Sequence, residues 1–427
     1  MSDNARPGPG ERRQSEIYFA GLRGKRPAVP VDARWLEERA RRVMSAEGFA
    51  YIAGGAGLET TMARNRAAFD EWRIVPRMLR DVAGRDLSVE LLGRRLAAPF
   101  LLAPIGALEM AHPQADLAVA RAAAATGTPY VFSSQASVPM EDCAAEMGDA
   151  RRWFQLYWNA SDVVMESFVR RAETCGCEAI VLTLDTTIFG WRDRDLDLAY
   201  VPFLRGRGLA QYTTDPAFMR LVDEGGPPPT PPGLPTLAQL GALVEIARSH
   251  PGGTLANLRS PRARAVVAQF FEVFQRPSLS WDDLPRLLDA TGLPVLLKGI
   301  LSPEDARRAV REGVAGIVVS NHGGRQVDGA VASLDVLPGV VEAVAGRIPV
   351  LFDSGIRCGA DVFKALALGA TAVLIGRTYA YGLAVAGEVG VREVIANLVG
   401  ELDQTMGLAG VASVAELGRD ALVRSGD

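Results

Sequence analysis

The chain has 427 residues, of which 48% are hydrophobic and 22% charged, and its formal net charge is −4. This composition is typical of a folded globular protein, and the near-neutral charge without a basic stripe argues against a nucleic-acid partner. No uninterrupted apolar run reaches the ~18 residues of a membrane span, so we expect no membrane partner.

Residues 1–30 predict a disordered or loosely packed tail, because their first half is polar, rich in proline and glycine, and lacks the apolar core of a signal peptide. Residues 31–99 predict a helical cap over one end of the next domain, with a helix at about 32–44. The cysteines are not spaced as metal ligands or as a disulfide framework. We therefore expect reduced thiols, no metal site and a cytoplasmic protein. The cysteines are Cys143, Cys175, Cys177 and Cys358.

Short apolar runs recur along the rest of the chain. Successive runs begin about 22–33 residues apart, except for one step of 115 residues, and this is the spacing of a strand followed by a helix. Their near-continuous hydrophobicity is typical of parallel strands buried on both faces. We predict an α/β fold, a closed (β/α)8 TIM barrel over residues 100–427, because the first run lacks the G-x-G-x-x-G turn of an open dinucleotide-binding sheet. The predicted strands are 100–106, 128–134, 151–158, 179–186, 294–300, 316–323, 349–356 and 372–377.

Two connecting segments carry clear helix signals. Ser302 is a candidate N-cap, followed by Pro303 and two acidic residues near the positive end of the helix dipole. Residues 361–369 predict a compact helix that ends at a glycine.

The long step predicts an insertion over about residues 187–280, after strand four. It contains six prolines between Pro227 and Pro235 and shows weak periodicity. Long loops in compact domains are usually functional or disordered, and a loop after the C-terminal end of a barrel strand lies over the rim where such barrels carry out chemistry. We predict a lid over the active site.

Three glycine-flanked peptides follow the later strands. They are Lys298 with the next glycine, residues 320–325 (Ser-Asn-His-Gly-Gly-Arg) and residues 353–357 (Asp-Ser-Gly-Ile-Arg). Of the three histidines, His322 is the catalytic candidate, because the two glycines after it allow close approach of the backbone to a ligand and Arg325 follows. Lys298 is costly to bury unless it meets an anion, so we predict a fixed cation beside a group that becomes negative.

Polar residues also end the other strands. The peptide 353–357 and the Gly-Arg pair at 376–377 end strands seven and eight, where such barrels often bind phosphate through backbone N–H groups and a helix N-terminus. Arginine adds a forked charge match. Gln155 and Thr183 alternate with buried residues on strands three and four, so we predict that they point into the mouth and bind the edge of a polar ring.

These motifs resemble the FMN-dependent 2-hydroxy acid oxidising family, which includes glycolate oxidase, mandelate dehydrogenase, lactate oxidase and lactate 2-monooxygenase. The resemblance extends from about Tyr51 to the C-terminal region. It depends most on residues 320–326 and 353–370. The insertion, at residues 188–196 and 202–208, is most similar to the lactate 2-monooxygenase subgroup.

The resemblance implies a cofactor and a set of roles. FMN is the implied cofactor, and the residues implied to bind it are Pro104, Ile105, Gly106, Ser133, Gln155, Thr183, Lys298, Ser320, Asp353, Ser354, Gly355, Arg357, Gly376 and Arg377. The implied substrate-binding residues are Tyr51, Tyr157, Arg192 and Arg325. The implied catalytic residues are His322 as the base, Asp185 as its partner, Tyr157 and Lys298.

The implied reaction is the oxidation of an (S)-2-hydroxy acid, L-lactate by resemblance, with oxygen as the acceptor. A lactate 2-monooxygenase would convert lactate to acetate, carbon dioxide and water. Two arginines can bind a carboxylate bidentately, and a neutral imidazole beside a carboxylate can take a proton. Gln135 follows two serines where several relatives carry an aromatic residue, which leaves the side chain of the acid open. A homo-oligomer, tetrameric or octameric, is expected by resemblance.

Four alternatives remain open at this point. One is a plain oxidase that releases the 2-keto acid and hydrogen peroxide, and another is a dehydrogenase coupled to a quinone or a cytochrome. An FMN-dependent isomerase on the same barrel would not need a pair of arginines that bind a carboxylate. A flavin-binding protein without catalysis would have no reason to keep His322, Asp185 and Arg325 together.

Overall fold

The protein is described by a computed structural model, which covers residues 7–225 and 234–426. Eight parallel strands close into a barrel in which the first strand pairs with the second and with the eighth. The predicted (β/α)8 TIM barrel is therefore confirmed. Barrel strands 1 to 8 are Phe100–Leu102, Tyr130–Phe132, Arg152–Leu156, Ile180–Thr183, Val295–Ile300, Gly316–Val319, Val350–Phe352 and Ala372–Ile375.

The barrel strands bury both of their faces. Leu101, Val131 and Leu296 belong to a cluster inside the barrel, whereas Leu102 and Phe132, one residue further along their strands, join the larger core under the helices. Because successive side chains on a strand point to opposite faces, this alternation requires apolar residues at nearly every position. The continuous apolar runs in the sequence follow from it.

A short hairpin, Val89–Leu91 and Arg94–Leu96, contributes Leu91 and Leu96 to the cluster inside the barrel. A second antiparallel pair joins Trp72–Ile74 to Leu422–Arg424 near the C-terminus. The segment before the barrel is therefore tied to the domain by strands as well as by helices.

The helices that follow the barrel strands begin with the expected local signals. Ser302 caps one of them, since its hydroxyl accepts hydrogen bonds from the backbone N–H groups of Glu304 and Asp305. The helix predicted over 361–369 is observed as Gly359–Ala367. The helices after strands 1 to 8 are Ala115–Thr126, Met140–Met147, Asp162–Thr174, the insertion, Pro303–Arg311, Ser333–Val344, Gly359–Ala367 and Arg377–Ala409, with Leu284–Ala290 before strand 5.

The segment before the barrel is more ordered than the sequence predicts. Its helices are Pro9–Gly21, Ala33–Val43, Ala46–Ala53 and Thr60–Asp70. The predicted helix at 32–44 is confirmed, with Asp32 as its N-cap. The prediction of a disordered or loosely packed tail is wrong for Pro9–Gly21, and residues 1–6 lie outside the described residues.

Polar contacts explain why the sequence pattern does not predict this N-terminal helix. The backbone N–H of Gly10 donates to buried Asp403 at 3.0 Å, and Arg13 Nε donates to Asn397 at 2.8 Å. Both partners lie on the C-terminal helix Arg377–Ala409, after the kink at Ala386 and Gly387. The helix therefore docks without the apolar stripe by which an amphipathic helix is recognised in sequence.

The insertion after strand 4 is largely helical in its described part. Its proline run at 227–232 lies outside the described residues, and only Pro235 of that group is described. Phe203, Phe270 and Phe274 pack against one another with ring centroids 5.1–6.5 Å apart, which gives the insertion its own small core. Its helices are Asp193–Asp197, Ala210–Thr213, Pro216–Gly225, Leu237–Ser249, Thr254–Arg259 and Arg262–Phe274.

Within the part of the chain that the structure describes, no helix has both the length and the hydropathy needed to cross a membrane.

Candidate active site

A cavity lies at the carboxyl ends of the barrel strands. Its walls come from the loops after the strands, from the helix Ala46–Ala53 and from the insertion. The residues predicted from sequence that line it are Tyr51, Pro104, Ile105, Gly106, Tyr157, Thr183, Arg192, Lys298, His322, Arg325, Asp353, Ser354, Gly355, Arg357, Gly376 and Arg377.

Four predicted residues lie just behind the cavity wall. Asp185 and Ser320 contact residues that line it, namely His322 and Lys298. Ser133, which directly follows strand 2, contacts Gln155 near the end of strand 3. The structure therefore gathers all the predicted site residues at one end of the barrel.

His322 and Asp185 form the most direct polar contact in the site. His322 Nδ1 lies 2.7 Å from Asp185 Oδ1, and the Thr186 hydroxyl donates to the same carboxylate oxygen at 3.0 Å. Gln326 Nε2 donates to the backbone carbonyl of Asp185 and to Thr186 Oγ1, both at 2.7 Å. These bonds fix the carboxylate against Nδ1, so Nε2 is the ring nitrogen left for a ligand.

Burial and charge determine the protonation of this pair. Burial lowers the pKa of His322 below its ordinary value of 6.5, although the Asp185 charge acts in the opposite direction. Burial acts to raise the pKa of Asp185, but the charges of His322 and Lys298 outweigh it and lower that pKa to about 2. At neutral pH the imidazole is therefore neutral and the carboxylate ionised, which is the state a general base needs.

The backbone around His322 explains its two glycines. His322 has φ 57°, in the left-handed region, and Gly323 and Gly324 have φ 67° and 75°. A Cβ on Gly324 would lie 2.7 Å from the backbone nitrogen of Met62. Three successive left-handed residues make a sharp turn that side chains resist, and this turn presents the imidazole to the cavity.

Lys298 is a buried cation held by an acid and a hydroxyl. Its ammonium lies 3.1 Å from Asp353 Oδ2 and donates to Ser320 Oγ at 2.8 Å. Burial acts to lower the pKa of Lys298, but Asp353 and Asp185 outweigh that effect and raise it. A permanent positive charge therefore lies at the floor of the cavity.

Four arginines surround the cavity without a carboxylate partner in ion-pair distance among the described residues. Arg325 donates to the carbonyls of Tyr51 and Gly54, and Arg377 donates to those of Ile52, Gly54 and Gly323. The other two are Arg192 and Arg357.

Burial lowers the pKa of Arg192 to about 10 and that of Arg377 to about 9. Both groups still carry a charge at neutral pH, and arginine favours bidentate anions such as carboxylate and phosphate. The excess of cations makes the cavity a site for anionic groups.

The residues present fit FMN. Gln155 Nε2 and Thr183 Oγ1 are buried and have no hydrogen-bond partner within the described residues, and both residues belong to strands that end at the cavity. Such orphaned groups are rare unless a ligand or water satisfies them. Gly376 precedes the N-terminus of the helix Arg377–Ala409, and Arg357 and Arg377 lie beside it in the cavity wall, where a phosphate could be held.

Several residues of the site were not assigned from the sequence. Gln326 and Thr186 support Asp185, and Phe189, Phe203 and Phe274 supply the apolar wall. Gln326 directly follows the 320–325 peptide, so its position in the sequence indicates that it lies in the site. The phenylalanines come from the insertion, whose fold gives no strong periodic pattern.

A closed barrel with a partly buried His–Asp pair, a fixed lysine and arginines that lack a carboxylate partner among the described residues fits the class of flavin-dependent oxidoreductases that act on small acids. The chain belongs to the FMN-dependent dehydrogenase family, whose model matches residues 40–424. It is an FMN-dependent 2-hydroxy acid oxidoreductase.

Two curated relatives and one solved structure illustrate the similarity. The chain is 40% identical over 412 residues to an FMN-dependent alpha-hydroxy acid dehydrogenase of Penicillium citrinum, covering 96% of this chain and 95% of the relative. It is 41% identical over 396 residues to an L-lactate oxidase of Lysinibacillus sphaericus, covering 93% of each. A crystal structure of mandelate oxidase superposes with a TM-score of 0.74 at 38% identity, covering 92% of this chain and 98% of that one.

Proposed function

We propose that this protein oxidises (S)-2-hydroxy acids, L-lactate being the simplest of them, and uses oxygen as the electron acceptor. One observation carries the proposal. The cavity that holds the neutral His322, paired with Asp185 at 2.7 Å, also holds Arg192 and Arg325 with no carboxylate partner among the described residues. A base and two free guanidinium groups are what a 2-hydroxy acid requires.

The arginines would position the substrate. Arg325 uses one nitrogen, Nη1, on the Tyr51 and Gly54 carbonyls, which leaves donors of its fork for a carboxylate. Its guanidinium also lies over the Tyr51 ring, 5.2 Å from the centroid. Tyr157 lines the same cavity and remains protonated, because burial raises its pKa. Holding the carboxylate in this way fixes the α-carbon beside the base, which supplies much of the orientation that catalysis needs.

His322 would take the hydroxyl proton of the substrate on Nε2. FMN, when bound, would supply the acceptor for the hydride equivalent of the α-carbon. Asp185 would stabilise the imidazolium that forms, as carboxylates do in other His–Asp pairs. Lys298 would balance the negative charge that builds up at the floor of the cavity, where its interaction is strengthened by burial.

Two outcomes after this step have separate support. The L-lactate oxidase among the relatives supports release of the 2-keto acid and hydrogen peroxide. The insertion supports the lactate 2-monooxygenase outcome, in which lactate becomes acetate, carbon dioxide and water. Phe203 and Phe274 of the insertion line the cavity, and a wall that slows product escape favours further reaction in place.

Anaerobic mixing of the FMN-loaded protein with L-lactate tests the proposal. We expect the yellow flavin absorbance to bleach, and to return when air is admitted. Free pyruvate with hydrogen peroxide would identify the oxidase outcome, and acetate with carbon dioxide the monooxygenase outcome. If no (S)-2-hydroxy acid bleaches the flavin, the proposal is wrong.

Substitution of His322 tests its role as the general base. His322→Ala should retain the flavin and lose bleaching by roughly 10²–10⁴-fold, the usual contribution of a general base. His250→Ala is the matched control, because His250 ends a helix of the insertion and is absent from the cavity lining. Bleaching of His322→Ala at the parental rate would exclude His322 as the base.

A further inference from the structure

Gln135 is a buried polar residue that the proposed reaction does not use. It follows barrel strand 2, is only 5% exposed and lines the cavity. Its side-chain nitrogen Nε2 is buried and has no hydrogen-bond partner within residues 7–225 and 234–426. Leaving a buried amide donor unpaired is costly, so this position calls for a partner that the described residues do not provide.

The neighbours of Gln135 place its carboxamide on the substrate side of the cavity. A Cβ built on Gly106 would lie 3.0 Å from Gln135 Cβ and 3.2 Å from its Oε1. The same point is 3.2 Å from the hydroxyl of Tyr51, a proposed substrate-binding residue. The carboxamide and that hydroxyl therefore border the same small space.

The backbone of Gln135 is held firmly. Its N–H donates to Ser133 Oγ at 3.1 Å, and its carbonyl accepts from the N–H of Ala107 at 2.8 Å. That carbonyl also lies close to Phe203 of the insertion, since both are within 3.1 Å of a Cβ built on Gly208. The backbone that carries the carboxamide is therefore fixed where strand 2 meets the cavity.

The side-chain amide of Gln135 can place its N–H donor at either of the two ends of the carboxamide group. A half-turn about the last bond of the side chain exchanges Oε1 and Nε2 without moving the rest of the residue. A methyl group such as that of lactate offers nothing to this donor. A substrate with an oxygen on its side chain would satisfy this donor.

We propose that Gln135 determines substrate preference by donating a hydrogen bond to an oxygen on the side chain of the 2-hydroxy acid. The preferred substrates are then (S)-2-hydroxy acids with a hydroxyl or carbonyl oxygen at or beyond the β-carbon, and L-lactate is a minimal substrate. This inference rests on the proposed function, because it assigns the substrate class of the same cavity.

A pair of acids of equal size tests the preference. L-glycerate and (S)-2-hydroxybutanoate differ only in carrying a hydroxyl or a methyl group on the β-carbon. We expect kcat/KM of the FMN-loaded protein to favour L-glycerate by about 5–100-fold, the range for satisfying one buried donor. A ratio near one, or a preference for the methyl group, would overturn the inference.

Two variants tie the preference to the residue. Gln135→Met keeps a side chain of similar length without a donor, and we expect it to remove or invert the ratio. Gln135→Glu replaces the donor by a carboxylate, and we expect the same loss with poorer turnover of both acids. Because the ratio compares two substrates on one protein, a general loss of activity does not mimic the effect. A parental ratio in Gln135→Met would assign the preference to another group.

Binding gives a readout that does not depend on turnover. Hydroxypyruvate and 2-oxobutanoate, the corresponding 2-keto acids, can be titrated against the oxidised protein while the flavin absorbance is followed. We expect hydroxypyruvate to bind more tightly to the parent and to lose that advantage in Gln135→Met. Equal dissociation constants in the parent would contradict the inference.

The two proposals fail in different ways. If no 2-hydroxy acid bleaches the flavin, the proposed function is wrong. If the acids bleach it but without the glycerate preference, the function stands and only the role of Gln135 is wrong.

Discussion

At the scale of single residues, opposing electrostatic effects set the chemistry of His322. Burial disfavours the imidazolium, while the Asp185 charge favours it, and the balance leaves the pKa of His322 below 6.5. The bonds from Thr186 and Gln326 keep the carboxylate in place. The imidazole is therefore neutral before the reaction and gains a stabilising partner once it accepts a proton.

This balance predicts the pH dependence of flavin reduction. Because His322 must be neutral to take a proton, the rate constant should be at its plateau above its pKa and should fall as the pH drops through that value, which lies below 6.5. Asp185→Asn removes the charge that raises this pKa, so the fall should move to lower pH. The plateau should drop on the order of 10²–10⁴-fold, because the imidazolium loses its partner.

Anaerobic stopped-flow measurements over a pH series would follow this change. Asp289→Asn, at an exposed carboxylate, is the control. It should keep the parental plateau rate and the parental pH at which the rate falls. A limb that moves to higher pH in Asp185→Asn would contradict the assignment of Asp185 as the partner.

At the scale of elements, the N-terminal helix Pro9–Gly21 is held by Asp403, a buried carboxylate that also pairs with Arg85. Asp403 has no exposed surface in the long C-terminal helix. It accepts from Gly10 N at 3.0 Å, and from Arg85 Nε and Nη2 at 2.7 and 3.0 Å. One carboxylate of the C-terminal helix therefore contacts both the N-terminal helix and Arg85, which lies between that helix and the barrel.

Loss of this carboxylate charge should destabilise the protein. In Asp403→Asn the largely buried guanidinium of Arg85 would keep only the half-exposed Glu11, at 3.7 Å, as a counter-charge, and breaking a buried pair costs about 3–5 kcal/mol. The change in the free energy of unfolding can be measured in urea. Asp420→Asn is the matched control, since its pair with Arg77 is exposed and 3.8 Å long, and it should cost less than about 1 kcal/mol. Equal losses in the two variants would show that Asp403 does not anchor the helix.

At the scale of the whole molecule, the cavity depends on nearly the full length of the chain. Its walls run from Tyr51 to Arg377 and include the insertion. A ligand that contacts so many elements binds the folded chain far better than the unfolded one, and so stabilises it. The homo-oligomeric state, a tetramer or octamer by resemblance, and the cytoplasmic location stay predictions.

FMN should therefore raise the melting temperature of the flavin-free protein. At a free concentration of 100 times its Kd, a ligand stabilises the folded state by about 2.7 kcal/mol. Riboflavin lacks the phosphate that we expect Arg357 and Arg377 to hold, so at equal concentration it should stabilise less. Thermal unfolding with each flavin gives the comparison. Equal shifts for the two flavins would contradict a phosphate site at these arginines.

The sequence predicted the barrel well and the N-terminal segment poorly, for a physical reason. Each barrel strand is a local run such as 294–300, and burial on both faces makes every residue of it apolar. Pro9–Gly21 carries no such pattern, because Asp403, hundreds of residues away in the chain, provides its partner. Local patterns record burial, whereas polar contacts between distant segments leave no periodic trace.

The sequence by itself determined the eight strands and the polar residues at their ends, since strand hydrophobicity and glycine turns are local properties. The tertiary structure alone decided that Arg192 and Arg325 lack carboxylate partners among the described residues and that the amide of Gln135 is buried without a partner. Whether a polar group is paired depends on every segment folded around it. These unpaired groups define what the cavity binds. They exist only where the barrel, the N-terminal helices and the insertion come together.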